Sequence, residues 1–241
     1  MAALSSRKQH ALELFAGLPR AYDRMGAVLS FGQDPRWRRA LIEAIDPRPG
    51  QRILDVATGT GMVAFGLARR GAAVIGLDQS EHMLSAARRR LGPGAENPTF
   101  IRGEAEHLPF ADGEFDALTF TYLLRYVDDR PATMRELARV VKPGGRIGMV
   151  KFGVPSSTPL RMAWRLHTRV GLPLLGRAVS PAWVEVGRFL GPNIEEFHAR
   201  EPSLEALWRD AGIVDVTLRH MSFGAGIVMA GTRKRDGQRA T

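Results

Sequence analysis

Two carboxylates and the small residues between them carry the clearest chemical signal in this chain. Asp55 lies inside the run Ile53 to Gly61 (ILDVATGTG), and Asp78 closes the next apolar run. An apolar run of this length entering Thr58 to Gly61 reads as a buried strand that turns on glycine into a helix starting near Met62. The missing β-carbons let a ligand approach the backbone there. A carboxylate at the end of the following strand, Asp78, can accept two hydrogen bonds from a ribose diol, and Asp55 adds a second negative group beside the turn. The pattern is that of a nucleotide-type pocket that suits a cationic ligand.

Two ligand classes use such a turn. Gly59 to Ala64 satisfies G-x-G-x-x-A and Asp78 follows Gly59 by 19 positions, as in a dinucleotide site. A pyrophosphate, however, rests on the helix N-terminus, where a nearby Asp55 is poorly placed. S-Adenosylmethionine has no phosphate and carries a sulfonium and an ammonium that Asp55 would attract. A nicotinamide-dependent oxidoreductase also needs a hydride-transfer set, and Tyr126 is followed four residues later by Arg130 rather than by lysine. The methyl donor is therefore the favoured ligand, and the oxidoreductase stands as the alternative from another reaction class.

These residues need elements to hold them. Apolar spacing predicts strands at 51–56, 73–77, 98–102, 115–122 and 146–152, interleaved with helices at 62–70, 80–91 and 129–141. A helix at 203–211 and strands near 213–221 and 226–232 complete the pattern. Such alternation builds an α/β, doubly wound, mostly parallel sheet covered on both faces. Residues 1–45 read as a helical segment, with Leu12, Phe15 and Leu18 and then Trp37, Leu41 and Ile45 at helical spacing, broken near Gly32 to Pro35. Residues 46–152 form the cofactor-binding core, and 153–200, rich in proline, glycine, tryptophan and arginine, a cap inserted after the fifth strand. Residues 201–232 hold the last helix and two strands, and 233–241 are a polar tail, all within one methyltransferase-sized domain.

Composition narrows the function classes. The 241 residues include no cysteine, which excludes disulfides and thiolate chemistry, and the six histidines lack ligand spacing, so no metal is expected. The net charge of +9 points to an anionic neighbour or to solvated arginine-rich faces. The basic residues are not interleaved with aromatics as in a nucleic-acid module, so no nucleic acid is expected. No apolar run reaches the roughly 18 residues of a membrane span, and no signal-peptide pattern opens the chain. The expected location is cytoplasmic, with contact to the inner face of a membrane open.

Further strings resemble the ubiquinone and menaquinone biosynthesis C-methyltransferases, within the class I S-adenosylmethionine-dependent enzymes. They are Tyr22 to Met25 with Ser30 to Gly32 and Trp37–Arg38, Leu54 to Gly61, Ala105 to Phe110, Leu124–Arg125, Arg139 to Gly145, Ile194 to Phe197 and Ala211 to Ile213. The resemblance implies a Rossmann-like methyltransferase fold of seven strands with the last antiparallel. It also implies methyl transfer to a ring carbon of a demethylated, prenylated quinol. It implies that Asp55, Ala57, Thr58, Gly59 and Gly61 shape the cofactor turn and Asp78 holds the ribose. Gln79 and Met83 would flank the adenine, Glu104 and Ala105 read its edge, and Thr121 complete the site. Arg125 would steady a phenolate, with Tyr22, Asp23 and Tyr126 on the acceptor side, and Asp23 able to take a proton or to pair with an arginine such as Arg24.

The chain departs from that family at Gly26 and Tyr126, where asparagine is usual, at Gly187 and Phe189, where tyrosine is common, at Asn193 and at Met229. Another lipophilic phenol as acceptor, or a cofactor-binding scaffold without catalysis, stays open on that account. The stretch 159–170 mixes arginine with Trp164 and aliphatics, as a helix lying on an anionic membrane or gating a greasy tunnel would. A homodimer is compatible with the sequence.

Overall fold

The computed structural model describes residues 22–93, 97–200 and 203–235. Its centre is a seven-stranded sheet in the order β3-β2-β1-β4-β5-β7-β6. The strands are β1 (Arg52–Val56), β2 (Ala73–Asp78), β3 (Thr99–Arg102), β4 (Phe115–Thr121), β5 (Val141–Phe152), β6 (Ile213–Met221) and β7 (Gly226–Arg233). The first five pair in parallel, whereas β7 runs antiparallel to both β5 and β6. The order reverses between β1 and β4, and the carboxyl ends of those two strands open the crevice where ligands bind in such sheets.

The helices are α1 (Tyr22–Leu29), α2 (Gln33–Ile45), α3 (Met62–Ala68), α4 (Glu81–Arg88), α5 (Arg130–Arg139), α6 (Thr158–Leu166), α7 (Leu172–Arg177), α8 (Pro181–Arg200) and α9 (Leu204–Asp210). One face of the sheet packs Trp37, Leu41 and Ile45 of α2 and Leu67 of α3 against Ile53, Val150 and Val228. The other face packs Met134 and Leu137 of α5 and Trp208 of α9 against Phe115 and Phe120. Near-continuous apolar strands follow, because both faces are covered.

Two expectations shift, and one cannot be placed. The helical expectation for Leu12, Phe15 and Leu18 lies outside the described residues. The break at Gly32 to Pro35 is shorter than expected: Gly32, at φ 73°, caps α2 directly, and Pro35 sits in the first turn, where its missing N–H costs nothing. Pro143 to Gly145, between the expected helix at 129–141 and strand at 146–152, instead lies within β5, whose register against β4 jumps between Val141 and Arg146. Gly144, at φ 82°, supplies the backbone freedom for that irregularity.

The cap is more regular than its composition suggested. Pro159, Pro173 and Pro181 stand in the first turns of α6, α7 and α8, where proline starts a helix, whereas Pro192 lies inside α8. A wide π turn, His167–Gly171, joins α6 to α7. A small core of Leu172, Trp183 and Val186 binds the cap together, and Met25 of α1 packs on it.

Candidate active site

The turn after β1 is held from behind. Thr58 Oγ1 donates to Asp55 Oδ2 at 2.6 Å, and Thr119 Oγ1 on β4 donates to Asp55 Oδ1 at 2.7 Å. Asp55 is buried, and desolvation pushes its carboxyl up to about 6, against the two hydroxyl hydrogen bonds and the attraction of Arg38. It does not line the cavity. Expected beside the turn as a second acid that attracts a ligand cation, Asp55 stands behind it: one oxygen braces Thr58 of the turn and the other ties β1 to Thr119 of β4.

Ala57, Gly59 and Gly61 all have positive φ, at 53°, 57° and 81°. A β-carbon on Gly59 would meet nothing within 4 Å, so this backbone faces open space. A β-carbon on Gly61 would lie 2.9 Å from the Phe100 ring and 3.0 Å from Phe65, so Gly61 serves close packing rather than the cavity wall.

The cavity above the turn has a volume of about 130 Å³. Ala57, Thr58, Gly59 and Asp78 line it, with Gln79, Met83, Ala105 and Thr121 farther round. Asp78 Oδ2 accepts the Gly59 N–H at 2.8 Å and Oδ1 accepts the Ser80 N–H at 2.9 Å. Each oxygen keeps acceptor capacity for a diol. Burial raises the Asp78 carboxyl, while these N–H groups oppose the rise. Ser80 Oγ caps α4 by accepting the Met83 N–H, which brings Met83 to the wall as an apolar flank that is also core. Glu104 is exposed and bridges to His107, so the acid on the wall is Glu106 instead.

A second chamber of about 330 Å³ adjoins the first. The cap supplies Trp164, Leu172, Trp183, Val186 and Leu190, and α1 and α2 supply Gly26, Asp34 and Trp37. The cap thus walls this chamber and does not cover the glycine-turn cavity. Trp37 Nε1 donates to Ser222 Oγ at 2.9 Å and Ser222 donates to Gln33 at 2.7 Å, fastening α2 to the β6–β7 turn.

Arg38, Tyr122 and Arg125 line both cavities and form the wall between them. Arg125 is buried, and its Nε and Nη1 have no hydrogen-bond partner. Its guanidinium lies 4.8 Å from the Tyr126 ring centroid, 5.0 Å from Phe152 and 5.7 Å from Tyr122. An aromatic box holds the charge without consuming its donors. Unspent buried N–H groups at a cavity wall suit an anionic oxygen.

The remaining expected residues divide. Tyr126 lines the glycine-turn cavity and not the chamber, and burial raises its phenol against the pull of Arg125, so it is a neutral donor on the donor side. Asp23 does line the chamber, but its carboxylate takes Thr60 Oγ1 at 2.5 Å and Arg90 Nη1 at 2.6 Å. Its arginine partner is thus Arg90; the side chains of Tyr22 and Arg24 lie outside the described set. Arg38, Tyr122 and Glu106 were missed as individual site residues. Trp37–Arg38 stood in the amino-terminal string, and Tyr122 stood as the last residue of an expected strand, with nothing to show that either faces a cavity.

The site fits a sulfonium nucleoside. Asp78 and Glu106 supply acids, Met83 and Val127 supply apolar flanks, and Gly59 lets the backbone approach. A pyrophosphate fits less well, because the Gly59 N–H it would need is spent on Asp78. Among the described residues no cluster of three or more metal-ligand types forms.

The chain is similar to known proteins in sequence and in fold. The chain is 37% identical to a demethylmenaquinone methyltransferase of Clavibacter sepedonicus over 94% of its own length and 91% of that protein's. It is 39% identical to a ubiquinone/menaquinone biosynthesis C-methyltransferase of Desulfotalea psychrophila over 88% and 85% of the two chains. In fold it resembles the complex of a Haloferax volcanii methyltransferase activator and its putative methyltransferase, with TM-score 0.63 and 16% identity over 92% of this chain and 98% of that one. It also resembles Haemonchus contortus phosphoethanolamine N-methyltransferase 2 solved with S-adenosyl-L-methionine, with TM-score 0.65 and 17% identity over 97% and 61%. The pattern of the ubiE/COQ5 methyltransferase family matches residues 3–233, and the chain belongs to that family.

Proposed function

We propose that this enzyme transfers the methyl group of S-adenosylmethionine to a ring carbon of a demethylated, prenylated quinol of the menaquinone type. The observation that carries the reading is the wall between the cavities, where a buried guanidinium keeps two nitrogens without a partner between the glycine turn and an apolar chamber. The bound donor supplies a methyl group on a positively charged sulfur. Asp78 holds the ribose, and Met83 flanks the base. Arg125 steadies the phenolate whose charge makes the ring carbon nucleophilic. A guanidinium does not give up its proton, so its part is electrostatic. Water-excluding walls strengthen that attraction.

Gly26 on the chamber wall, where a β-carbon would meet nothing within 4 Å, favours a second reading, a bulkier lipophilic phenol as acceptor. Turnover of a labelled donor with demethylmenaquinol and a panel of phenols separates the two. Transfer to the quinol confirms the first reading. Binding of S-adenosylhomocysteine with transfer to no acceptor leaves a scaffold, and tight nicotinamide binding without it overturns both.

The acceptor's tail reaches the chamber from a lipid surface. No helix among the described residues is long and apolar enough to cross a membrane, so the contact proposed is peripheral. Helix α6 buries none of its residues, and Met162, Leu166 and Val170 stay exposed along it and the following turn. Phe31 and Phe223, 70% and 81% exposed, adjoin the chamber where Phe31 meets His167 and Ser222 lines the wall. Trp164 faces the chamber rather than the outside, and Arg165 and Arg169 both pair with Glu195 while staying half exposed. The apolar stripe therefore carries the contact. Sedimentation with anionic vesicles tests it: replacing Leu166 and Val170 by serine weakens binding, and unchanged binding removes the membrane role.

A further inference from the structure

Deprotonating the acceptor leaves a proton that Arg125 cannot take. Among the described residues of the chamber, the groups able to accept one are Asp23, Asp34 and His167. Asp23 is committed to Thr60 and to the half-exposed Arg90. His167 packs at a tilt against the exposed Phe31, 4.8 Å between ring centroids.

Asp34 is placed differently. Its carboxylate is buried; Oδ1 accepts the Tyr122 hydroxyl, and Oδ2 accepts Arg38 Nε at 2.9 Å. Arg38 Nη1 in turn donates to Thr121 Oγ1 at 3.3 Å. Tyr122 and Arg38 are two of the three residues shared by both cavities. Tyr122 stands in the left-handed region, at φ 58° and ψ 12°, a backbone that an aromatic residue rarely adopts. Its ring stacks on Phe152 at 4.3 Å, with Arg38 5.3 Å from its centroid. A buried ion pair beside an apolar chamber costs desolvation that packing alone does not require. Strained backbone together with buried charge at a cavity wall marks functional geometry.

Building on the methyl-transfer reading, we infer that Tyr122 and Asp34 form the proton-accepting pair of the reaction: Tyr122 touches the acceptor hydroxyl, and Asp34 acts through it. The acceptor O–H bond breaks, its proton passing to the Tyr122 oxygen while the Tyr122 proton passes to Asp34. The electron pair left on oxygen enters the ring. The ring carbon bonds to the methyl group as the sulfur–methyl bond breaks, and the sulfur keeps that pair. The methylated carbon then loses its proton to water, and Asp34 returns its own proton through Tyr122 to the oxygen, so one proton is released per turnover. Arg38 orients the carboxylate through its Nε. The other charged or titratable groups around the pair are Arg125 from the turn after β4, Asp55 through its attraction to Arg38, and Asp23 and His167 across the chamber.

The test uses Asp34→Asn, Asp34→Glu and Tyr122→Phe with a short-chain prenyl naphthoquinol, and with a ring-halogenated analogue whose hydroxyl is more acidic. Asp34→Asn is expected to lower kcat by about 100-fold near neutral pH while KM stays within about threefold. The loss shrinks as pH rises and with the halogenated acceptor, because an ionised acceptor needs no proton acceptor. Tyr122→Phe shows the same pattern, and Asp34→Glu recovers much of the rate. Calorimetric binding of S-adenosylhomocysteine and of 1-naphthol to Asp34→Asn stays near the wild-type value. A kcat near wild type, or an equal loss at every pH and with both acceptors, overturns the pair; should Asp34→Asn not fold, Tyr122→Phe decides by the same criterion. Failure of the wild type to bind either ligand overturns the methyl-transfer reading itself and the pair with it.

Discussion

The two cavities that meet at Arg125 are built by opposite means. The glycine-turn side hangs on strand ends: Asp55 braces Thr58 and Thr119, and Asp78 pins the turn through Gly59, all anchored in a sheet covered on both faces. The chamber is walled by α1, α2, the turn after β4 and the cap helices, and among the described residues the cap's own core holds three buried apolar side chains. A donor that is the same in every turnover can be met by a rigid backbone turn. A greasy acceptor entering from outside needs a wall of replaceable side chains. On the proposed reading, the difference places specificity in α1, α2 and the cap, and chemistry at the shared wall.

Removing the charge at that wall should have the largest effect. Arg125→Met is expected to lower kcat by about 100- to 1,000-fold, the scale for losing a preorganised donor to a developing oxyanion. S-Adenosylhomocysteine affinity should change far less. Steady-state kinetics and calorimetry check this, and a collapse of donor binding with kcat preserved would move Arg125 to the donor side and dissolve the division.

The rigid side should reveal itself through pH. Asp55 has a folded-state carboxyl raised from 3.8 to about 6, so the folded chain holds that proton more tightly than the unfolded one. Its contribution is most favourable below the lower value, falls as pH rises between the two, and is flat above, a total of about 3 kcal/mol. Asp55→Asn removes this slope. Denaturant unfolding of both proteins across this range should show their stability difference changing by that order; parallel curves would mean that Asp55 is not held in a dry strand end.

Asp78→Asn should weaken S-adenosylhomocysteine binding by about 10- to 100-fold, the scale of a charge-assisted hydrogen bond, and leave 1-naphthol binding unchanged. Calorimetry with each ligand separates the sides, and joint loss would couple them. The smallest effect belongs to Gly26. A β-carbon there meets nothing within 4 Å, so Gly26→Ala should stabilise α1 by about 0.5–1 kcal/mol in thermal unfolding. The added methyl would narrow the chamber slightly for bulky acceptors.

The same contrast governs what could be read from the sequence. Strand and helix positions around the glycine turn followed from apolar runs, and Asp78 followed from its distance to Gly59, because a strand–turn–helix unit is local. Asp55 was legible as a residue but not in orientation, since only the pairing of β1 with β4 brings Thr119 to its second oxygen. Tyr122 escaped because its left-handed backbone has no sequence signature. Arg38 and Asp34 lie on a helix whose position over the strand ends is fixed by packing across the whole sheet. Glu106 rather than Glu104 reaches the cavity because a short bridge between Glu104 and His107 turns the loop. The cap's prolines looked like breaks because their place in each helix cannot be known before the helix is.

The central claim is that donor and acceptor meet across Arg125. A crystal structure with S-adenosylhomocysteine and a prenyl naphthoquinol bound together tests it most directly. The account predicts the sulfur above the Gly59 turn, the quinol ring in the chamber, and a ring hydroxyl within hydrogen-bond reach of the Arg125 guanidinium. A quinol bound elsewhere, or a ring carbon held too far from the sulfur for direct methyl transfer, would contradict it.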